Sequence, residues 1–371
     1  MNHGHLYVRR REISSAGPKT VIAILIFAAA CALRFGARYV PGFAERAVTI
    51  INPLMLASLG RVTGLFNFSI VEILIYLLII IIPVHLFVIL FAAFRRESDA
   101  GKRMIGYLTN LLILAALIFF LYEAGEDICF YRVSFSDKEG FGRGSYTTEE
   151  LTEVCKYLTE ECNGLAGRVE RTPEKIMVLS ADIETRITEY MRKTGETYPT
   201  IAGPYYIPKG LIVSYLLSVT DLSGIYSAYT NEANYNRDMP DYNKPFTMSH
   251  ELAHTHAVLD ETDANFIAYL NCTNALDSDI RYSGALMGWI YCANELAKRD
   301  QSAYDGFYRS LDAAVRSDLS ANSEFWARYK TPVTESAKKF NDSFLKSHGQ
   351  KDGTESYSKV VDLIVSYELK K

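Results

Sequence analysis

The sequence predicts a mainly α-helical chain with a small β-sheet, arranged as a soluble α+β domain after three N-terminal transmembrane helices. Three observations carry this prediction. Two uncharged apolar runs, residues 73–94 (22 residues) and 104–122 (19 residues), are each long enough to cross a bilayer core as a helix. Charge divides unevenly at Ala124: 12 basic and 6 acidic residues precede it, whereas 27 basic and 37 acidic residues follow it. Beyond that point helical periodicity dominates, except over residues 198–242, where Tyr, Ser, Gly, Asn and β-branched residues crowd together as in short strands. The averages over 371 residues, a net charge of −4 and 49% apolar residues, therefore describe neither part. They do exclude a disordered, collagen-like or small disulfide-rich chain.

Residues 1–124 are assigned as the membrane anchor and 125–371 as the working domain. The first span is predicted over residues 20–40. Its apolar run, 20–33, is short and reaches spanning length when Arg34 snorkels; the run also suits a cleaved signal peptide, so cleavage stays open. Arg9, Arg10, Arg11 and Lys19 precede this run, and Arg95, Arg96, Lys102 and Arg103 fill the loop between the second and third spans. Basic flanks stay in the cytoplasm, which makes the N-terminus cytoplasmic and everything after Tyr122 extracytoplasmic. Pro83 and His85 predict a kink with a polar group turned towards neighbouring helices. Residues 41–71 either lie on the membrane surface or pack under the soluble domain.

In the acidic part, Thr147 and Glu150 form a capping-box pattern ahead of Leu151, Val154, Cys155, Leu158, Cys162 and Leu165, one face of a helix. A second helix is predicted from Pro173 to about Thr194. From Thr247 onwards the pattern is helical, with breaks near Asp260, at residues 277–281, near 298–302 and at 349–353. Cys155 and Cys162 stand too far apart on one helix for a disulfide and read as core; a bridge between Cys272 and Cys292 stays open. The cysteines lack CxxC spacing, which argues against a cysteine zinc site. A net charge of −10 after Ala124 argues against nucleic acid as a partner.

The chemistry-bearing segment is TMSHELAHTHAVLDETDANFIAYL, residues 247–270. His250, Glu251 and His254 form HExxH. Residues four apart share a helix face, so both imidazoles can meet one Zn2+ ion while Glu251 projects beside it as general base. Thr247 is the expected N-cap. Glu261, opening a second helix after a turn, is the expected third ligand, with Asp260 and Asp263 as alternatives. Asn265 stands four residues after Glu261, where its amide can accept an imidazole N–H. His256 is expected to face away and be exposed.

Residues 224–236 suit an edge strand beside this helix, able to pair with an extended peptide. Glu232, Asn234 and Asn236 are then pocket-rim residues, or else stabilise a turn. Tyr282 and Tyr357 are the hydroxyl donors considered for a developing oxyanion.

These segments resemble a bacterial membrane family catalogued as domain of unknown function 3810, a zincin-like group. The resemblance covers most of the chain. It rests on the three apolar segments, FNFSIVEIL (66–74), SGIYSAYTNEANYN (223–236), PFTMSHELAH (245–254), ETDANFIAYL (261–270), RYSGALMGWIY (281–291) and the tail at 340–367. It implies a zincin-like fold and a membrane metallopeptidase, with the ExxxN of Glu261 and Asn265 resembling the ExxxD of glutamate-type zincins. The chain departs from the family pattern at Ser227, Ala228, Asn231 and His256. The expected function is a membrane-anchored zinc metallopeptidase cutting a peptide or protein substrate outside the cytoplasm, held in the lipid bilayer; the alternative is a non-catalytic zincin-fold scaffold or sensor with structural zinc.

Overall fold

A computed structural model describes residues 4–142, 144–348 and 357–371, with side chains from 17 onwards apart from those of 357 and 358. Among the described residues, three helices are long and apolar enough to cross a membrane, over Gly17–Tyr39, Ile70–Phe94 and Ala100–Tyr131. The first lies within α1 (Gly4–Tyr39), the second is α4 (Ile70–Phe94) and the third begins as α5 (Ala100–Gly125). Between α1 and α4 run α2 (Phe43–Met55), a π-helical turn (Leu56–Gly60) and the short α3 (Arg61–Thr63). α1 packs along α5, with Phe27 and Phe119 rings 5.3 Å apart. Pro83 sits inside α4, where His85 faces the ring of Tyr107 at 5.1 Å and the Tyr107 hydroxyl donates to the Ile82 carbonyl at 3.2 Å.

The segment between the first two apolar helices packs under the rest of the chain. Asn52 Nδ2 donates to the Thr255 carbonyl (2.8 Å), the Tyr206 hydroxyl to the Leu56 carbonyl (3.0 Å) and Thr63 Oγ1 to the Thr230 carbonyl (3.1 Å). A Cβ on Gly64 would come 2.5 Å from the Tyr206 ring, so glycine there permits the close approach.

After the short α6 (Phe135–Lys138), α7 (Thr148–Ala166) begins with the expected reciprocal capping box of Thr147 and Glu150. The helix expected from Pro173 is shorter. Residues 170–178 form a hairpin of β1 (Glu170–Arg171) and β2 (Met177–Val178), and α8 (Ile183–Thr197) follows. Lys175 turns with a positive φ of 67°, and buried Asp318 accepts from the Met177 N–H (2.7 Å) and the Arg171 guanidinium (2.8 Å). That anchoring holds the segment extended where local periodicity favours helix.

Short strands occupy residues 198–242 as expected: β3 (Lys209–Gly210), then α9 (Ser214–Val219), β4 (Gly224–Ser227) and β5 (Glu232–Tyr235). Their order is β3-β5-β4, with β3 parallel and β4 antiparallel to β5, so β4 is an edge of this sheet among the described residues. At the turn between β4 and β5, Asn231 takes a left-handed φ of 52°. Asparagine is among the few non-glycine residues that tolerate that conformation.

The remainder is helical: α10 (Asn243–Thr255), α11 (Glu261–Thr273), α12 (Ser278–Arg299), α13 (Gln301–Ser310), α14 (Ala313–Ala327), α15 (Pro332–Ser347) and α16 (Tyr357–Glu368). The core gathers α7, α8, α10, α11, α12 and α16 around residues such as Leu158, Met191, Leu252, Phe266 and Leu286. Cys155 and Cys162 lie in it as expected, and Cys272 and Cys292 are buried and unbridged. A smaller cluster of Val48, Ile128, Cys129, Ala257 and Leu259 joins α2 to the end of the third apolar helix and to the loop after α10. The division at Ala124 thus marks a change of composition, not a gap between bodies.

Candidate metal centre

The helix carrying HExxH starts a turn earlier than the sequence suggests. Thr247 is not its cap; it is a buried interior residue, and α10 begins at Asn243. Pro245 falls in the first turn, where its missing N–H costs nothing, and Ser283 Oγ accepts the Phe246 N–H at 3.2 Å. The far end is a Schellman closure. Ala257 is left-handed at φ 61°, its N–H reaches the His254 carbonyl (2.9 Å), and the Val258 N–H reaches the Ala253 carbonyl (3.3 Å). This reversal returns the Val258 carbonyl to His254 Nδ1 at 2.7 Å. It also corrects the expectation for His256: leaving the helix at that residue turns its ring inward, where it is buried and stacks on Tyr205 with centroids 3.8 Å apart.

α11 follows at once. The Asp260 side chain caps it by accepting the Asp263 N–H at 3.0 Å, and Asp263 is buried, accepting from the Phe135 and Ser136 N–H groups at 2.5 and 3.3 Å. Both alternatives for the third ligand are therefore occupied elsewhere. Glu261, the first residue of α11, faces α10: its carboxylate lies 3.4 Å from His250 Nε2 and 3.9 Å from His254 Nε2. His250, His254 and Glu261 each offer an atom within 4.8 Å of the other two. A tetrahedral zinc site spaces such donors about 3.3 Å apart, so this set could hold one cation with small adjustments.

The opposite ring nitrogens are held in place. His250 Nδ1 lies 3.0 Å from Asn265 Oδ1, which also accepts the Tyr291 hydroxyl at 3.3 Å, while His254 Nδ1 meets Val258. With Nδ1 donating, both Nε2 lone pairs turn to the common point. Tyr291 and Val258 went unnoticed in the sequence; the first lies 26 residues beyond Asn265, and the second enters through its main chain.

The charged groups of the site compensate one another. Burial opposes the charged form of His250, but the hydrogen bond and charge of Glu261 outweigh it and raise the imidazole to about 9. Burial likewise pushes Glu261 up, and His250 and then His254 overcome it, holding the carboxyl at about 2. His254 is lowered by burial, and further by the charge of His250, to about 4. Burial raises Glu251 to about 8 against the pull of His250. Glu251 Oε2 is buried with no hydrogen-bond partner among the described residues, a costly condition that ligand or water contact relieves. On its other side Glu251 meets β4: a Cβ on Gly224 would come 2.4 Å from Oε1.

Family membership is decided by a match over residues 48–365 to the model described as protein of unknown function (DUF3810). The chain belongs to this family. The DUF3810 match spans the second and third apolar helices, the sheet and the whole candidate centre. No curated protein and no solved structure matches the chain.

The remaining sequence candidates lie elsewhere. Glu232, Asn234 and Asn236 are buried, unlike residues of an open rim, and Glu232 faces a small cavity lined by Thr63, Tyr206 and Lys209. Glu232 pairs with Lys209 Nζ (2.5 Å) and accepts the Ile70 and Val71 N–H groups of α4 (3.0 and 2.9 Å). Asn234 Nδ2 donates to the Ile225 carbonyl, and Asn236 Nδ2 to Ser218 Oγ at 2.9 Å, so both stitch the sheet to its surroundings. Tyr282 is fully buried and gives its hydroxyl to Asp318 at 2.5 Å, in the group that anchors the β1–β2 hairpin. Pulled into that network, it is not a free donor. The side chain of Tyr357 lies outside the described residues.

Proposed function

We propose that this DUF3810 protein is a membrane-anchored zinc metallopeptidase with a zincin-like fold, in which His250, His254 and Glu261 hold the metal and Glu251 is the general base. The supporting observation is the convergence of two imidazole Nε2 atoms and one carboxylate on a single point, beside a buried carboxylate oxygen that lacks a partner among the described residues. Zinc in such a site supplies Lewis acidity, polarising a carbonyl and making water a stronger acid. Asn265 and the Val258 carbonyl fix the imidazole tautomers. Glu251 would act as the carboxylate, the form that a cation bound beside it favours, taking a proton from the attacking water and passing it to the leaving amine. β4, as an edge strand next to Glu251, offers main-chain groups on which an extended peptide can align. The basic flanks support a cytoplasmic N-terminus with the metal centre outside.

The test uses the purified full chain in detergent. Metal content is read by elemental mass spectrometry, and hydrolysis with a mixed-sequence, internally quenched peptide library. The expected result is one zinc per chain, lost in Glu261→Ala, with cleavage abolished in Glu251→Gln while zinc stays. Full zinc content in Glu261→Ala removes the third ligand; a zinc-loaded chain with no cleavage that depends on Glu251 leaves a structural metal site.

A further inference from the structure

Six large apolar side chains stand exposed around the start of α4: Leu65, Phe66, Phe68, Ile212, Tyr215 and Leu216, with exposures from 40 to 77%. They come from two stretches distant in sequence, and buried charges tie those stretches together. In the first turn of α4, Glu72 accepts the Ile212 and Val213 N–H groups at 2.9 and 2.8 Å. Reciprocally, Glu232 of the sheet accepts the Ile70 and Val71 N–H groups, and Lys209 Nζ donates to the Thr63 carbonyl at 2.6 Å. Both stretches thus meet the end of α4 within about one helical turn.

The patch borders the apolar surface of α4, where Leu74 and Ile75 are 44 and 48% exposed. Exposed Arg61 and Arg237 flank it, the latter donating to the Ile212 carbonyl at 3.3 Å. Large apolar and aromatic groups bordered by arginine suit the boundary between acyl chains and phosphate headgroups, where aliphatic stems stay buried and cations meet phosphate. A chain whose remaining surface faced water on all sides rarely leaves such a patch open.

We propose that these six side chains form a collar seated in the interfacial layer of the lipid bilayer, so that the sheet and α9 ride on the membrane surface instead of standing off on a stalk. The collar rests on the reading of α4 as a transmembrane helix and is independent of any peptidase activity. Gly224, the strand residue against Glu251, is eight residues beyond Leu216 and so at most about 29 Å of extended chain away from the collar.

The experiment places an environment-sensitive fluorophore on single cysteines in the full chain, in a Cys31→Ser background whose other cysteines are buried. Leu65→Cys and Leu216→Cys report on the collar, Ile79→Cys on the span, and Tyr308→Cys on exposed α13. The protein is reconstituted in phosphatidylcholine vesicles carrying a nitroxide either near the headgroup or deep in the acyl chain. Labels at 65 and 216 are expected to lose at least about twofold in intensity to the shallow nitroxide, with 308 unaffected. Quenching at 79 by the deep nitroxide with none at 65 and 216 overturns the collar while the span stands. No quenching at 79 removes the span and the collar with it. Labels at 65 and 216 shielded from aqueous iodide yet untouched by lipid nitroxide mean that a protein covers the patch, which also overturns the proposal.

Discussion

Gly224 packs directly on Glu251: a Cβ at position 224 would come 2.4 Å from Oε1, 2.7 Å from Cγ and 2.8 Å from Cδ of that glutamate. The contact involves the whole end of the side chain, so an added methyl group displaces the carboxylate or the strand. Gly224→Ala is therefore expected to leave zinc bound by His250, His254 and Glu261 while slowing cleavage of the quenched peptide library by about 100-fold, the scale of a misplacement near 1 Å. Parallel measurement of zinc content decides the cause, since joint loss of metal and cleavage means that the strand supports the ligands themselves.

Asn265 Oδ1 receives both His250 Nδ1 and the Tyr291 hydroxyl. Two donors on one amide oxygen fix the orientation that a carboxylate would otherwise supply. Asn265→Leu is expected to weaken zinc binding by about 10- to 100-fold, the usual cost of losing such a support. Asn265→Asp should restore binding, and Tyr291→Phe should have a smaller effect than Asn265→Leu. Competition against a chromophoric chelator measures all three, and unchanged affinity in Asn265→Leu eliminates the orienting role.

What the sequence revealed of this site follows the range of the interactions. His250, Glu251 and His254 are legible because helical spacing alone puts four-apart residues on one face, and Glu261 because a turn and a new helix follow within seven residues. Thr247 misled because the helix start depends on Ser283, which is distant in sequence. His256 misled because its direction is set by the left-handed Ala257, not by continuing helical periodicity. The burial of Glu232 was illegible for the same reason: its partners at Ile70 and Val71 are more than 160 residues away. Apolar run length alone revealed two of the three membrane-length helices, the first needing Arg34 and the residues beyond it, and the hairpin at residues 170–178 needs Asp318, which no local pattern announces.

Tyr282 separates structural from chemical roles. Its hydroxyl lies on buried Asp318, and its ring lies under the Arg171 guanidinium at 5.2 Å. Tyr282→Phe removes one hydrogen bond to a charged acceptor, which is expected to cost about 1.5–3 kcal/mol of stability. Zinc content and cleavage per folded molecule should not change. Thermal unfolding beside a steady-state assay checks both; a fall in turnover without a fall in stability would return this tyrosine to the active site.

Glu232 supports a larger expectation, because it serves a buried ion pair and the start of an apolar helix together. With Lys209 and Glu232 both almost fully buried, Glu232→Ala leaves an ammonium without its counter-charge and takes the acceptor from the Ile70 and Val71 N–H groups. Removing one partner of such a pair typically destabilises by about 3–5 kcal/mol. In the double variant Lys209→Met, Glu232→Gln no buried charge remains, and the glutamine oxygen can still accept one of the α4 N–H groups. Thermal unfolding of the full chain in detergent should therefore show the double variant recovering more than half of the loss. If it melts as early as Glu232→Ala, capping of α4 rather than charge pairing is the dominant contribution of this residue.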